Sequence, residues 1–290
     1  MGNFKRGVGL AGAILAANAA MADGPPAAKP PSVHPLISEV LYAVPSGERG
    51  DANADGVRDA IGDEFIELVN PHNTPIQLKG YVLVDSEGWA PGAPKPSVPA
   101  TRPDQKPGDA PADADTKTKP AKESARGEIR FVFPELELKP GEVVVVFNGY
   151  QQKMEGEVGD AEKAAKKNER FHGAYVFSMK NESPYAALGN DGDFVVLVDP
   201  SGKPVQVVKW GTTGKTPPRD GVVVDEAPAS IGSVQRNGVG GKLVAHKSLP
   251  GELAGTLFSP GVFSLKASAE TARPASSGGR PNGGGGRPRK

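Results

Sequence analysis

The feature that most constrains the fold is a series of short apolar runs rich in β-branched residues, each bounded by glycine, proline, asparagine or aspartate. Residues 143–147 read VVVVF and predict a strand that is buried on both faces. Residues 193–198 and 205–210 flank an Asp-Pro-Ser-Gly turn and predict a β-hairpin. About eight such runs, without a helix of core length or a fixed repeat, predict an all-β sandwich.

Further strands are predicted where the same pattern recurs, at residues 36–42, 64–70, 76–85, 129–133 and 175–179, with shorter candidates at 230–236 and 242–246. Gly80 interrupts the third of these runs and predicts a β-bulge. Residues 160–170 read DAEKAAKKNER, and this composition predicts a short surface helix.

Composition separates the sandwich from segments that cannot pack. Residues 86–128 mix proline, alanine, aspartate and lysine without an apolar period, and residues 266–290 form a Ser/Gly/Arg/Pro tail. Both segments are predicted to be disordered, because they cannot bury enough apolar surface to offset chain entropy. The sandwich is therefore assigned to residues 34–265, with a low-complexity insertion at 86–128 and a charged insertion at 151–174.

The N-terminus has the pattern of a secretory signal peptide. A basic pair precedes an apolar, small-residue run at residues 7–20, and an Ala-Met-Ala cleavage pattern ends at Ala22. The run is shorter than the ~20 residues that a membrane span requires, so cleavage after Ala22 is favoured over a membrane anchor. We expect a signal peptide at 1–22, a proline-rich leader at 23–33, and a secreted or periplasmic mature chain without a transmembrane segment.

Charge balance and the lack of cysteine exclude several classes of site. Lys and Arg together number 34, as do Asp and Glu, so net charge does not indicate a nucleic-acid binder. The chain has no cysteine, which excludes disulfides, thiolate nucleophiles, zinc–thiolate sites and iron–sulfur clusters. The basic Gly/Arg tail has no interleaved aromatic residues that could stack on bases. The expected partner is therefore an unknown protein or an anionic envelope polymer, and nucleic acid is not expected.

The sharpest candidate site is an acidic loop that leads directly into a predicted strand. Asp51, Asn53 and Asp55 alternate before Gly56, which is the opening pattern of an EF-hand-type calcium loop. Gly62 stands where that loop has a bidentate glutamate, and the two acidic residues after it are candidate substitutes. The predicted calcium ligands are Asp51, Asn53, Asp55, the backbone carbonyl of Val57, Asp59, Asp63 and Glu64. The alternative is a turn rich in Asp and Asn whose charges are solvated.

Two glutamates, Glu39 and Glu67, lie within otherwise apolar strands. Paired carboxylates can perform acid–base catalysis, but no second catalytic signature accompanies these. We therefore expect both to be structural, either pointing outward or helping to ligate the loop ion. The histidines show no zinc-binding spacing, since they are scattered among separate loops and strands: His34, His72, His172 and His246.

Short motifs follow one another along the chain: ISEVLY at 37–42, DEFIELVN at 63–70, IQLKGYVLVD at 76–85, LKPG at 138–141, LGNDGD at 188–193 and SPG at 259–261. Their order and spacing resemble a bacterial lamin-tail domain over residues 35–263. The resemblance implies an immunoglobulin-like β-sandwich, which serves as a structural and interaction module in nuclear lamins. In bacteria it implies an exported, non-catalytic module that is sometimes joined to surface enzymes. The family has no catalytic residues to carry over.

The expected function is therefore that of an exported, non-catalytic binding or structural module. One alternative is a metal-dependent hydrolase, or an accessory domain of one, that uses the carboxylates between Asp51 and Glu64. Another is an adhesion module that calcium stiffens through the same loop. An enzyme requires a pocket with convergent polar groups, whereas a structural module requires only the acidic loop at one end of the sandwich.

Overall fold

The computed structural model describes residues 33–89 and 127–266, and in this part of the chain the regular structure is short β-strands and 3-10 turns. The strands are β1 (Leu36–Leu41), β2 (Phe65–Val69), β3 (Ile76–Gln77), β4 (Val82–Asp85), β5 (Arg130–Val132), β6 (Glu137–Leu138), β7 (Val143–Phe147), β8 (Lys167–Asn168), β9 (Ala174–Ser178), β10 (Gly192–Val198), β11 (Pro204–Gly211), β12 (Val223–Ala227), β13 (Val234–Arg236) and β14 (Leu243–Ala245). The 3-10 turns are Glu48–Gly50, Glu169–Phe171, His246–Ser248 and Gly251–Leu253.

Two sheets form the body of the fold. The seven-stranded sheet has the order β14-β13-β1-β2-β7-β9-β8, and the five-stranded sheet has the order β12-β11-β10-β4-β5. Neighbouring strands are antiparallel except for β7–β9 and β11–β12, which are parallel. A two-stranded sheet pairs β3 with β6. The predicted all-β sandwich is confirmed, and the strands outnumber the expected ones because several are only two or three residues long.

The main core lies between the two sheets, where alternate residues of each strand point inward. Val146 of β7 belongs to the same buried cluster as Leu83 of β4 and Val195 of β10. Tyr42, which follows β1, stacks on Trp210 of β11 with ring centroids 4.4 Å apart. Such aromatic pairs stabilise a core beyond the area that they bury, and this one links the two sheets directly.

The seven-stranded sheet is also covered on its outer face. All five residues of β7 are buried, as the VVVVF run predicts. On the outer face, Val145 packs in a second apolar cluster with Phe171, and Phe258 and Phe263 from the C-terminal segment pack against this cluster. A strand that faces water on neither side has no need of polar residues, which explains the uninterrupted apolar run.

The predicted single strand at 76–85 is wrong. Gly80 adopts φ = 84° in a turn where the backbone N–H of Tyr81 donates to the carbonyl of Leu78 at 2.9 Å. This turn separates β3 from β4, which belong to different sheets. A glycine in a strand pattern is compatible with either a bulge or a turn, and the sequence alone does not distinguish them.

The predicted helix at 160–170 is also wrong. Asp160 accepts hydrogen bonds from the backbone N–H groups of Glu162 and Lys163, both at 2.8 Å, and so forms a local turn. The chain then forms β8, which pairs antiparallel with β9. A short isolated helix without an apolar stripe is marginal in water, whereas an edge strand satisfies its backbone against the sheet.

Several predicted segments lie outside the described residues. These are the signal peptide at 1–22, the leader up to residue 32, residues 90–126 of the low-complexity insertion, and the tail from residue 267. Within 33–89 and 127–266, no helix has the length and apolar character of a membrane span.

Candidate functional site

Three loops meet at one end of the sandwich, which we call the loop end. It is defined by the segments that follow β1, β7 and β9, residues 42–64, 148–166 and 179–191. The pairing of Phe65 with Phe147 places the start of β2 beside the end of β7. The backbone N–H of Asn148 donates to the carbonyl of Glu64 at 2.8 Å, and that of Leu188 donates to the Glu64 carboxylate at 2.9 Å. These bonds hold the three loops together.

The acidic loop is folded by its own carboxylates. Asp51 accepts the backbone N–H groups of Asp55 at 3.1 Å and Gly56 at 2.9 Å. The side chain of Asn53 accepts the Asp55 N–H at 2.8 Å, and Asp55 accepts the Val57 N–H at 2.9 Å. Gly56 has φ = 88°, the left-handed conformation that the sharp turn of a calcium loop requires at this position.

Asp63 closes the acidic loop from its far end. Its two carboxylate oxygens accept the backbone N–H groups of Asn53 at 2.9 Å and Asp59 at 2.6 Å. Asp59 in turn accepts the N–H groups of Ile61 and Gly62, at 2.8 and 2.7 Å. Burial raises the pKa of Asp63 to about 6, against the lowering effect of these hydrogen bonds. Asp63, one residue after the position where a calcium loop has its bidentate glutamate, is therefore the carboxylate that contacts the rest of the loop.

Glu64 points away from the acidic loop. Its carboxylate accepts the backbone N–H of Leu188 and lies 3.4 Å from the side-chain amide of Asn148. The structure thus brings Asp51, Asn53, Asp55, Val57, Asp59 and Asp63 together in one loop and places Glu64 inside the sandwich. In the described residues, no three Asp, Glu or His side chains are grouped as a metal site requires.

Inside the sandwich, Glu64 belongs to a buried acidic cluster that the sequence analysis did not identify. Asp85, at the end of β4, and Asp193, in β10, are both buried and interact electrostatically with Glu64. Burial, followed by Asp193, raises the pKa of Asp85 to about 7, and burial raises that of Glu64 well above its ordinary value. The sequence did contain a signal for this cluster. Asp85 and Asp193 each lie two residues from an inward-facing apolar residue, so the alternation of a strand predicts that they also face inward.

A groove of about 520 Å³ lies at the loop end between the segments after β7 and β9. Its charged and amide side chains are Gln151, Gln152, Asp160, Lys163, Lys180, Asn181 and Glu182. Gln151 and Lys180 both have positive φ, 53° and 52°, a strained conformation for residues other than glycine. The side chain of Gln152 also leaves its oxygen buried without a hydrogen-bond partner.

The groove and the acidic loop are joined to each other. Asp55 accepts the backbone N–H of Lys153 at 3.0 Å, and the side-chain amide of Gln152 donates to the carbonyl of Gly62. One face of the loop end therefore presents carboxylates, amides and ammonium groups on two loops that are joined by hydrogen bonds between side chains and backbone. This arrangement can hydrogen-bond a polar or charged ligand.

Glu39 and Glu67 do not lie at the loop end. They oppose each other on β1 and β2, and both are completely buried on the outer face of the seven-stranded sheet. The expectation that they point outward from the sandwich core is met, but they are covered by the C-terminal segment instead of solvent. The sequence-based role of helping to ligate a loop ion is wrong for this pair, since their hydrogen bonds are to Ser38, Ser233, Ser259 and Gly261.

The histidines lie apart from one another, except for two at the opposite end. His34 contacts the hydroxyl of Tyr81 at 2.8 Å, and His72 reaches the carbonyl of His34 at 3.0 Å. His172 ends a 3-10 turn in the left-handed conformation. His246 is completely buried beside Ser259, with 2.8 Å between its Nε2 atom and the serine hydroxyl.

Comparisons with known proteins identify one family. The family model described as Lamin Tail Domain matches residues 28–212, which is more than half of the chain. A search of curated proteins finds no match. The family match ends just after β11, whereas β12, β13, β14 and the C-terminal segment lie beyond it. β13 pairs with β1 and so extends the seven-stranded sheet past the matched region.

Proposed function

This chain belongs to the lamin tail domain family, whose members are immunoglobulin-like domains and not enzymes, and we propose that it acts outside the cytoplasm as a binding module. Its binding surface is the loop end, which carries the groove and the acidic loop. In immunoglobulin-like sandwiches the loops cluster at the two ends, where they are free to vary while the sheets hold them in place.

The observation that carries this proposal is the fixed connection between the groove and the acidic loop. The bonds from Lys153 to Asp55 and from Gln152 to Gly62 hold two loops from different strands in one orientation. A preorganised surface loses less conformational entropy when it binds a partner. The strained backbone at Gln151 and Lys180 supports the same assignment, because such strain is concentrated at ligand-binding sites.

The polar character of the surface defines the class of partner. The groove carries the ammonium group of Lys163, the carboxylate of Glu182 and an ion pair between Lys180 and Asp160. Such a surface is suited to a charged protein segment or an envelope polymer, and electrostatic complementarity would govern the choice. Export is proposed from the signal-peptide pattern, and intact-mass measurement of the secreted protein tests it: a chain starting at Asp23 is expected, and one starting at Met1 would contradict it.

Co-sedimentation with isolated cell envelopes tests the binding surface. We compare the wild-type protein with Lys163→Glu in the groove and with Lys203→Glu, a lysine that is also exposed but lies at the opposite end of the sandwich. Lys163→Glu is expected to weaken binding by about fivefold or more, because it reverses a charge at the interface, whereas Lys203→Glu should leave binding unchanged. Equal effects of the two substitutions, or no binding by the wild type, would overturn the assignment.

A second candidate function, calcium binding by the acidic loop, is favoured by the left-handed turn at Gly56 and by the closure through Asp63. The carboxylate oxygens already accept backbone N–H groups, so a cation would share them, and their second lone pairs are the groups available to it. Calorimetric titration of the chelator-treated protein with calcium, beside Asp51→Ala/Asp55→Ala, tests this. Heat of binding and a higher Tm in the wild type alone would support it. The absence of both in the wild type would leave a turn built from Asx hydrogen bonds.

The hydrolase alternative has no comparable support. It depends on the carboxylates from Asp51 to Glu64 acting together, but Glu64 is turned into the sandwich, where it bonds Leu188. Reaction at the loop would also require an activated group next to a bound substrate.

A further inference from the structure

The C-terminal segment crosses the outer face of the seven-stranded sheet beyond the region that the family model matches. We call residues 257–263 the strap. Its Phe258 and Phe263 side chains pack against the apolar cluster on that face. Gly261 is held so close that an added Cβ would lie 2.3 Å from the carbonyl oxygen of Phe171. The strap is therefore seated in contact with the sheet and is not a loose end.

Three polar side chains in a row bind the strap to this otherwise apolar face. Gln235 of β13, Glu39 of β1 and Glu67 of β2 occupy paired positions on neighbouring strands. Glu39 accepts the backbone N–H of Ser259 at 3.0 Å, Glu67 accepts that of Gly261 at 2.8 Å, and Gln235 donates to the carbonyl of Val262 at 2.7 Å. Each of the three strands therefore contributes a side chain that hydrogen-bonds the backbone of the strap.

Within residues 33–89 and 127–266, neither carboxylate accepts a hydrogen bond from a Lys or Arg side chain. Both are completely buried, and each has the other as its neighbour across the strand pair. The remaining neighbours of Glu39 are the hydroxyls of Ser233 and Ser259, and Glu67 also accepts the hydroxyl of Ser38. The titratable group from the other packed elements is His246, whose Nε2 atom lies 3.8 Å from Glu39. Two like charges side by side in a buried site disfavour ionisation of both.

The hydrogen bonds around His246 indicate where protons are held. Its Nδ1 atom lies 3.0 Å from the carbonyl of Thr256, which can only accept, so Nδ1 carries the hydrogen. When His246 is neutral, Nε2 accepts the hydroxyl hydrogen of Ser259, which leaves none for the second oxygen of Glu39. Gln235, directly across from Glu39, has a buried side-chain oxygen without a donor. A protonated Glu39 can donate to the hydroxyl oxygen of Ser259, which lies 3.3 Å from its second carboxylate oxygen.

We propose that the strap is a pH-controlled cover, which is closed while the Glu39–Glu67 pair holds at least one proton and detaches when both carboxylates become charged. Two adjacent charges require water, and the strap is what excludes water from them. Its release would admit water to the pair. It would also expose the apolar outer face around Phe65, Val145 and Phe147.

The direction of the response follows from the burial of the pair. Burial raises the pKa of Glu39 to about 7, and burial followed by the charge of Glu39 raises the pKa of Glu67 well above its ordinary value. Carboxylates with raised pKa stabilise the folded form fully below their ordinary values near 4, and that stability is lost as pH rises through neutrality. Burial lowers the pKa of His246, so charging this imidazole opposes closure at acidic pH. The strap is therefore held most firmly at pH values where His246 is neutral and the carboxylate pair still holds a proton.

Hydrogen–deuterium exchange, corrected for the intrinsic pH dependence of the exchange rate, tests the cover. In the wild-type protein we expect protection of the strap amides to fall by about tenfold or more between mildly acidic and alkaline pH, while β7 stays protected, because local opening is independent of global unfolding. Glu39→Gln/Glu67→Gln should remove this pH response, and Glu252→Gln, an exposed glutamate in the 3-10 turn before the strap, should retain it.

Three results would overturn the proposal. One is strap protection in the wild type that does not change with pH, and another is loss of protection by β7 in step with the strap. The third is a full pH response in the double variant. If the double variant does not fold, Glu39→Gln alone replaces it, since its amide can still accept the backbone N–H of Ser259 and can donate to the Ser259 hydroxyl oxygen.

Discussion

Asp85 is a buried carboxylate with one oxygen that has no hydrogen-bond partner. The other oxygen accepts the backbone N–H of Gly88 at 2.8 Å. Burial is the main cause that raises its pKa to about 7, and the negative charges of Asp193 and Glu87 add to this effect. At the scale of single residues, Asp85 therefore destabilises the fold whenever it is ionised.

Asp85→Asn should stabilise the domain at alkaline pH. The raised pKa means that the contribution of Asp85 is favourable below about pH 4 and is lost as pH rises through about 7. Asparagine stays neutral, so the free energy of unfolding should increase by roughly 2 kcal/mol near pH 8 and change little near pH 4. Urea denaturation at both pH values measures this, with the exposed Asp220→Asn as control. Equal effects at the two pH values would contradict the assignment.

Alanine substitutions at Gly261 and Gly255 distinguish the cost of backbone strain from the cost of a steric clash. Both have positive φ, 93° and 78°, but a Cβ on Gly255 has no atom within 4 Å, whereas one on Gly261 meets Phe171. Gly255→Ala should therefore cost about 1 kcal/mol from strain alone, and Gly261→Ala about 2 kcal/mol more from the displaced strap. Thermal denaturation measures the difference, and equal costs would show that the strap is not tightly seated.

At the scale of elements, the acidic loop depends on Asp63 for its closure. Asp63→Asn replaces one accepting oxygen with a donor that faces a backbone N–H of Asn53 or Asp59. We expect a loss of about 1–3 kcal/mol in the free energy of unfolding, the usual cost of a buried group without its partner. Chemical denaturation of this variant beside Asp220→Asn checks it. An unchanged stability would mean that the loop does not need this closure.

The longer strands of the two sheets were largely predictable from sequence, whereas β6, β8, β12 and the loop contacts were not. The run at 143–147 consists of valine and phenylalanine, and residues 194–198 are all apolar and mostly β-branched or aromatic, so local pattern alone specifies both strands. Asp63 and Glu64 are adjacent acidic residues, and which of them closes the loop depends on where β2 begins. The contact of Glu39 with Ser259 depends on β13 lying beside β1, which no local pattern records.

At the scale of the whole molecule, the folded unit extends past the family match. The match ends at residue 212, but β13 pairs with β1 in the middle of the seven-stranded sheet, and the strap covers its outer face. A chain ending at Thr212 would leave β1 as an edge strand. It would also expose the apolar outer face of the sheet, with Glu39 and Glu67, to solvent. The unpaired backbone groups of such an edge strand can pair with strands of other chains.

We therefore expect a chain that ends at Thr212 to lack a cooperative unfolding transition, and one that ends at Lys266 to keep it. The physical reason is that the shorter chain lacks β12, β13, β14 and the strap, all of which belong to the same folded unit. Circular dichroism during thermal denaturation distinguishes the two chains. Cooperative unfolding of the shorter chain would show that the matched region folds alone.

The measurement that most directly tests the central claim, that the loop end is the binding surface, is site-specific photo-cross-linking in the cells that produce the protein. A photoreactive phenylalanine derivative replaces Glu182 in the groove or, as the matched control, Ser201 in the exposed β10–β11 turn at the opposite end. We predict a discrete adduct from position 182 and none from position 201, because only one end carries the preorganised polar surface. Adducts from position 201 alone, equal adducts from both positions, or none from either would contradict the account.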